Sequence, residues 1–433
     1  MAWVRQRPMR AVGVLIAMLL LVASASFVGG RHLRDRGQMR AAHVALDRRD
    51  WKLAQQLLDV ALARSPNDPD VLLMAARAAR RQEKLSEAQK FLDSCQRALG
   101  EESEPIKIER ALLHVHRGNL AGVEEYLRAR VRDDDPGTLE ILDIMSAALI
   151  IDYRVAEAQS CLDDLLQRQP DHFDALVRRG WTARTMGWYA DAIKFYQHAL
   201  DLRPDVDTVR LAMAEIQVAL GQFGDAQREF EQLRQRQPDN PSVVFGLGRA
   251  LAGQGRKEQA LELFDQVLAA NPNDWKALSE RGWIAVQLDR PMEGEGYLRG
   301  AVALAPPDLP ILTRLADCLR LNGKQHEARQ YRDRADRLRT DLQRAGELGD
   351  FLRDKNPADP APRYELGCIL LRLGKKQDAL HWLLTALEKD PGHVKTHEQL
   401  IELYQSVGDS GRAEQHRRFL EGLTARPQGG SSL

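Results

Sequence analysis

Four of this chain's eleven histidines, His381, His393, His397 and His416, fall within its last 53 residues, and they come closest to a chemical motif. His393 and His397 share a helix face at i, i+4, a spacing that two ligands of a metal ion can use. No glutamate stands between them, so the general base of a helical metalloprotease motif is missing. His114 and His116, at i, i+2, point to different faces and read as surface residues. Cys95, Cys161, Cys318 and Cys368 are 66, 157 and 50 residues apart, with no CxxC for zinc, disulfide exchange or haem. They read as small apolar fillers of helices. Neighbouring carboxylates such as Asp163 with Asp164, or Glu124 with Glu125, are i, i+1 pairs on helix faces where solvation is the default. GxSxG, GxxxxGK[ST] and a strand-to-helix GxGxxG are all absent, and Gly246 and Gly248 belong to a helical stretch. No catalytic residue, metal or cofactor is expected, and no small-molecule substrate is evident.

The composition suits long helices. Of 433 residues 44% are apolar and 29% charged, aromatics are few, and Ala, Leu, Arg, Gln and Glu dominate. Lys plus Arg and Asp plus Glu are both 62, so the net charge is zero and nucleic acid is not an expected partner.

The elements announce themselves by period. Pro136, Pro170, Pro204, Pro238, Pro272 and Pro306 form a ladder with steps of 34 residues, and Pro357 to Pro391 is another such step. Ten residues after these prolines stands Gly180, Ala214, Gly248, Gly282, Ala316 or Gly367. Seventeen after them stands Gly187, Gly221, Gly255, Gly323, Gly374 or Gly408, interrupted by Asp289. Twenty-two after them the chain reads Ala158, Ala192, Ala226, Ala260, Gly294, Ala328, Ala379 and Ala413, and Ala88 bears the same relation to Pro66. Each unit is expected to be two antiparallel helices. Helix A, as at Leu176, Val177 and Ala183, ends at the glycine, which accepts the left-handed backbone of a C-terminal cap. Helix B, as at Ala192, Phe195, Tyr196, Ala199 and Leu200, ends before the next proline. The small residue of A and the alanine of B let the backbones approach, with Tyr196, Phe230 or Phe264 filling the space beneath.

This pattern resembles the tetratricopeptide repeat family, and residues 172–205 show it best: Gly180, Gly187, Tyr189, Ala192, Tyr196, Ala199 and Pro204 fall on the family's signature positions. The resemblance implies an all-α, right-handed superhelical solenoid of about eleven antiparallel helix pairs, preceded by a single N-terminal apolar helix. Units within 33–136 are degenerate, with Val123 near an expected alanine and Gly100 in place of a proline; 137–340 is regular; 358–425 holds the C-terminal units; 426–433 reads as a disordered tail. Between Thr340 and Pro357 there are 17 extra residues. Tyr331, Ala335, Leu338, Leu342 and Ala345 keep helical spacing into them, so this helix B should run on through 341–357, with Gly346 and Gly349 expected to kink or end it. It is either an arm for a partner or a spacer joining two sub-arrays, and the spacer is preferred.

The resemblance also places a ligand groove on helix A. Eleven residues after successive prolines stand Ala147, Trp181, Glu215, Arg249, Trp283 and Asp317, then Cys368 and Glu402, while Arg184, Phe245 and Arg320 are neighbouring positions. Trp181, Arg184, Glu215, Phe245, Arg249, Trp283, Asp317 and Arg320 therefore form the expected partner-binding groove for proteins or peptide segments, aromatic anchors among polar groups. The alternative is that both tryptophans pack against the adjoining helix A. No asparagine occupies the eleven-after positions, which argues against the carboxylate-gripping chaperone-docking subclass.

At the N-terminus, Arg5, Arg7 and Arg10 precede an uncharged stretch from Ala11 to Gly30, long enough to span a bilayer. Residues 1–32 are read as a signal anchor, because Phe27 and Val28 prolong the apolar run, or as a signal peptide cleaved after Ala25. Either reading exports the array, although Arg31, Arg34, Arg36 and Arg40 weaken the orientation signal. The expected function is a membrane-anchored interaction scaffold of the cell envelope; the alternative is an exported chaperone-like factor that holds client chains transiently.

Overall fold

The computed structural model describes residues 37, 39–46, 50–133, 137–355 and 357–424. Among them every regular element is an α-helix, and the helices follow one another as eleven consecutive pairs, as the ladder predicts. They fall into two compact units, one reaching Val209 and the other starting at Arg210. The first holds α1 (39–46), α2 (Trp51–Arg64), α3 (Pro69–Arg81), α4 (Leu85–Leu99), α5 (Glu104–His116), α6 (Glu124–Arg132), α7 (Thr138–Ile151), α8 (Val155–Arg168), α9 (Phe173–Thr185) and α10 (Tyr189–Leu202). Helix α11 (Asp207–Ala219) contains the division. The second unit continues with α12 (Phe223–Arg236), α13 (Pro241–Gly253), α14 (Lys257–Ala270), α15 (Trp275–Gln287), α16 (Pro291–Leu304), α17 (Leu309–Leu321), α18 (Gln325–Lys355), α19 (Ala361–Arg372), α20 (Lys376–Lys389), α21 (Val394–Ser406) and α22 (Ser410–Thr424).

The punctuation of the sequence is the punctuation of the fold. Helices α8, α10, α12, α14, α16 and α20 each stop two residues before a ladder proline, because the residue ahead of a proline is driven out of the helical region. At the turn between helix A and helix B the backbone takes positive φ at Gly187, Gly221, Gly255, Gly323, Gly374 and Gly408. The same turn carries a side chain at Glu83, Tyr153 and Asp289, with φ of 61°, 57° and 60°. At those three the pattern holds in backbone conformation although glycine is absent.

Packing follows the small residues. Ala88, Ala158, Ala192, Ala226, Ala260, Ala328, Ala379 and Ala413 are all buried where helix B meets helix A. A Cβ placed on Gly180 would sit 2.5 Å from the Tyr196 ring, and one on Gly248 would sit 2.8 Å from Phe264, so each glycine is the socket for an aromatic of its own helix B. In the degenerate stretch one pair departs from this pattern. With Val123 at its start, α6 is only nine residues long, against 14 for α8, α10 and α14.

Helix α18 is the extended helix B, 31 residues long. Gly346 and Gly349 do not end it: the helix continues unbroken to Lys355. Each mid-helix glycine costs about 1 kcal/mol relative to alanine, whereas burying a leucine gains about 1.5–3 kcal/mol. Leu348 and Leu352, beyond the glycines, are buried with Leu366, Ile369, Leu370 and Leu373 of the following pair. The extension is thus a joining spacer rather than a protruding arm, and ion pairs from Arg344 to Glu365 (2.7 and 2.9 Å) and from Arg372 to Asp341 (2.9 and 2.6 Å) tie it to α19.

The apolar segment expected at 1–32 and the tail expected at 426–433 lie outside the described residues. Among the described residues no helix is long and apolar enough to cross a membrane.

Candidate functional site

The expected groove residues are divided between the units. Trp181 and Arg184 lie on α9 of the first; Glu215 on α11, Phe245 and Arg249 on α13, Trp283 on α15, and Asp317 and Arg320 on α17 lie in the second. Trp181, Glu215, Phe245, Arg249, Trp283 and Asp317 are half-buried, and Arg184 and Arg320 are exposed. Phe245 is turned inward, its ring centroid 5.7 Å from that of Phe264.

The structure gathers two of these residues into a concavity. Trp283 and Asp317, with Leu309, Pro310, Thr313, Arg314 and Arg339, line a cavity of about 310 Å³. Its floor follows from the repeat. One side of Trp283 packs on the buried cluster of Val286, Leu298, Leu315, Cys318, Leu319 and Ala328, so the indole is fixed, and Leu309 and Pro310 at the start of α17 supply an apolar wall. The rim is polar and already ordered. Arg314 lies with its guanidinium carbon 5.9 Å from the Trp283 ring centroid and donates to Ser279 Oγ (2.9 Å) and to both oxygens of Glu280 (3.1 and 3.3 Å). Asp317 accepts from Arg332 at 2.6 Å and Asp336 accepts from Arg339 at 2.5 Å. Arg339 is the first residue beyond the length of a regular 14-residue helix B, so the extension of α18 supplies one side of this cavity. A volume near the lower end of ligand sites, about 300 Å³, admits one or two side chains.

Two further features were not found in the sequence. The first is a repeated module: Arg179-Gly180-Trp181 and Arg281-Gly282-Trp283 are the same tripeptide 102 residues, or three steps, apart. In the first copy Arg179 Nε donates to Asp163 of α8 at 2.6 Å and its guanidinium lies 4.8 Å from the Phe195 ring centroid of α10. In the second copy Arg281 Nε donates to Asp265 of α14 at 2.7 Å and lies 4.7 Å from the Tyr297 ring centroid of α16. Both arginines are more than nine-tenths buried. Each thus ties helix A to the helix B before it and to the helix B after it. Burial opposes the charge of Arg281, but Asp265 and Glu293 hold its pKa above the ordinary value. Matching residues against themselves at a spacing of 102 would have exposed the module.

The second is a buried ion network in the degenerate stretch. Arg80, 1% exposed, donates from Nε to Glu109 of α5 (2.9 Å) and from Nη2 to Glu140 of α7 (2.6 Å), while Arg77 and Arg81 reach the same two carboxylates at 2.8 and 3.0 Å. Burial works against the ionised carboxyl of Glu140, yet Arg80 and Arg81 hold it well below the usual range. Arg80 stands fourteen residues after Pro66, as Arg184 and Arg320 stand after Pro170 and Pro306. Arg80 is buried, with Glu109 and Glu140 of the neighbouring helices as its carboxylates, whereas Arg184 and Arg320 are exposed. Of the histidines, His393 and His397 do not converge on a common point: His393 Nδ1 meets Thr396 Oγ1 at 2.6 Å, whereas His397 pairs with His416. Among the described residues no group of three or more His, Cys, Asp or Glu could hold a metal ion.

Comparison with known proteins agrees with the helix pairs. A model described as tetratricopeptide repeat matches residues 154–207, 211–275 and 245–308, and another of the same description matches 45–105. The "DnaJ homolog subfamily C member 7 homolog" of Schizosaccharomyces pombe is 26% identical over 273 residues, which cover 61% of this chain and 49% of that protein. "Cellulose synthase operon protein C" of Pseudomonas fluorescens is 27% identical over 290 residues, covering 62% of this chain and 22% of that protein. The match therefore spans about half or less of these relatives' own length. A solved tetratricopeptide repeat protein from Parabacteroides merdae superposes with a TM-score of 0.46 at 15% identity, over 53% of this chain and 90% of that one.

Proposed function

Because the chain carries tetratricopeptide repeats across residues 45–105, 154–207 and 211–308, we propose that it is a membrane-held scaffold that binds partner-protein segments on its helix A faces. The array itself is of a kind suited to protein–protein interaction. The observation that carries the finer reading is the Trp283 cavity, a fixed indole and an apolar wall bordered by charges whose positions are already set. A partner side chain entering it meets an aromatic surface at little ordering cost, the property that makes tryptophan a frequent anchor of interfaces. In the first unit Trp181 and Arg184 are the proposed contacts; in the second they are Trp283 with Glu215, Arg249, Asp317 and Arg320, while Phe245 supports this face from within. Membrane attachment through residues 1–32, with the array on the extracytoplasmic side, draws its support from the uncharged run Ala11–Gly30 behind Arg5, Arg7 and Arg10.

Cross-linking in native membranes followed by mass spectrometry tests both parts, with the wild-type chain set beside one carrying Trp181→Ala and Trp283→Ala. A small set of partners captured by the wild type and lost in the double variant is the expected result. Unchanged capture would make the tryptophans structural, and a broad, weak set of clients would favour a holding chaperone. Recovery of the wild-type chain in the soluble fraction would remove the anchor.

A further inference from the structure

The last two described helices meet through a pair of imidazoles. His397 of α21 is 4% exposed, and both of its ring nitrogens are engaged: Nε2 lies 2.9 Å from the carbonyl oxygen of Pro391, and Nδ1 lies 2.8 Å from Nδ1 of His416 on α22. A carbonyl only accepts, so Nε2 of His397 carries its proton. Nδ1 of neutral His397 is then an acceptor, and the hydrogen between the rings comes from Nδ1 of His416. The rings are clasped on their faces as well. Phe419 of α22 stacks on His397 with centroids 4.4 Å apart and planes at 19°, and Tyr404 of α21 lies parallel to His416 within 11°, centroids 5.7 Å apart.

This arrangement has a limited capacity for protons. A first added proton goes to Nε2 of His416; the inter-ring bond survives it, but it sets a charge on a ring half-buried between α21 and α22, and that desolvation already weakens the docking. A second must go to Nδ1 of His397, the atom that accepts from His416, so it breaks the bond and sets two cations in contact. The surroundings supply little to offset this. From α22 the Arg412 guanidinium lies over the Tyr404 ring at 5.7 Å, Glu414 is taken by Arg417 and Arg418, and Glu421 follows a turn after His416. On α21, Tyr404 lies against the pair and Lys395 and Glu398, beside His397 in the chain, are exposed, with Glu402 a turn further on; just before α21, His393 is bonded to Thr396 and set edge-on to Tyr364 of α19. In the loop before α21, Asp390 accepts from the Gly392 amide at 2.9 Å. Helix α20 contributes the apolar side chains Leu380, Leu383 and Leu387 to the cluster beneath.

We propose that the His397–His416 pair is an acid-sensitive latch that docks α22 on α21, and that its protonation frees α22 and uncovers Leu400, Leu403 and Tyr404. Burial, then His397, lowers the pKa of His416 from its ordinary value. The folded state therefore prefers the neutral imidazole. Its contribution to docking is fully present above the unfolded histidine value of about 6.5 and is lost as pH falls below it. At neutral pH the latch is closed; in mildly acidic surroundings the array presents a fresh apolar face at this end of the described structure.

Hydrogen exchange read by mass spectrometry on the full chain tests this, with protection in 410–424 compared between pH 7.5 and pH 5 after correction for intrinsic exchange, and α13 as internal reference. In the wild type the protection of α22 relative to α13 should fall by up to about tenfold per pH unit below the transition. His416→Asn keeps an N–H donor near the Nδ1 position but cannot ionise, so its α22 should show the same relative protection at both pH values, even if that protection is lower throughout. Wild-type protection that does not change with pH would overturn the proposal, as would an acid response of equal size in His416→Asn.

Discussion

Arg179-Gly180-Trp181 and Arg281-Gly282-Trp283 are copies of one module, and they have solved the same two problems differently. The first problem is a buried guanidinium. Arg281 has two carboxylates, Asp265 at 2.7 Å and Glu293 at 2.6 Å, whereas Arg179 has Asp163 at 2.6 Å. The residue that corresponds to Glu293 is Asp191, one methylene shorter, and it pairs with Lys194 at 3.1 Å instead. The second problem is helix separation. Beside Gly180 stand Ala192 and a Tyr196 ring that fills the space, but beside Gly282 stand Gly294 and Leu298, and a Cβ on Gly294 would lie 2.6 Å from the carbonyl oxygen of Gly282. One copy fills the space beside its glycine with an aromatic ring; the other sets backbone against backbone there and secures its arginine twice. Position in the repeat sets which problem arises, and local residues set the answer.

The largest expected effect comes from the carboxylates. Asp163→Ala removes the single carboxylate found on a buried arginine and should cost about 3 kcal/mol, while Asp265→Ala leaves Glu293 in place and should cost about 1 kcal/mol. Denaturant midpoints of the two variants make the comparison, and equal losses would mean that the second carboxylate does not matter. Adding Asp191→Glu to Asp163→Ala should recover part of the loss. Next comes Gly294→Ala, which restores the residue type of the other units and improves helix propensity by about 1 kcal/mol. The backbone contact should nevertheless make it destabilising by about 1–3 kcal/mol; a raised melting temperature would show that α15 and α16 can separate freely. The smallest effect is at the turn, where Gly187 of the first copy corresponds to Asp289 of the second. Asp289→Gly should stabilise by about 0.5–1 kcal/mol, since the left-handed backbone is already adopted, and thermal unfolding reads the change.

What was legible in the sequence is what the backbone demands. Pro170, Gly187 and Ala192 mark a helix stop, a left-handed residue and a close approach, and few residue types can meet any of these, so the marks recur at 34. Glu83 and Tyr153 show the limit, since they adopt the same left-handed turn without the residue that advertises it. Arg80 was invisible for another reason. Its partners Glu109 and Glu140 lie 29 and 60 residues away and follow no period, so only the fold brings the charges together. Gly346 and Gly349 misled because glycine's local cost in a helix is smaller than the gain from burying Leu348 and Leu352. Of the candidate cavity, Trp283 and Asp317 stand at positions picked out by the repeat phase, but Arg314 and Arg339, which complete it, enter through α17 and the lengthened α18.

Helix α18 belongs to two neighbours at once. Its first half closes the pair with α17, and its second half, without an intervening turn, is the surface on which α19 rests. Elsewhere along the chain one pair can be lost while the next persists, since each meets its neighbour across a loop. Here melting of either partner withdraws half of a single rod from the other. Residues from Leu309 to Lys389 accordingly form one cooperative block, and a shortened version of the protein can end before α17 or after α20 but not between them.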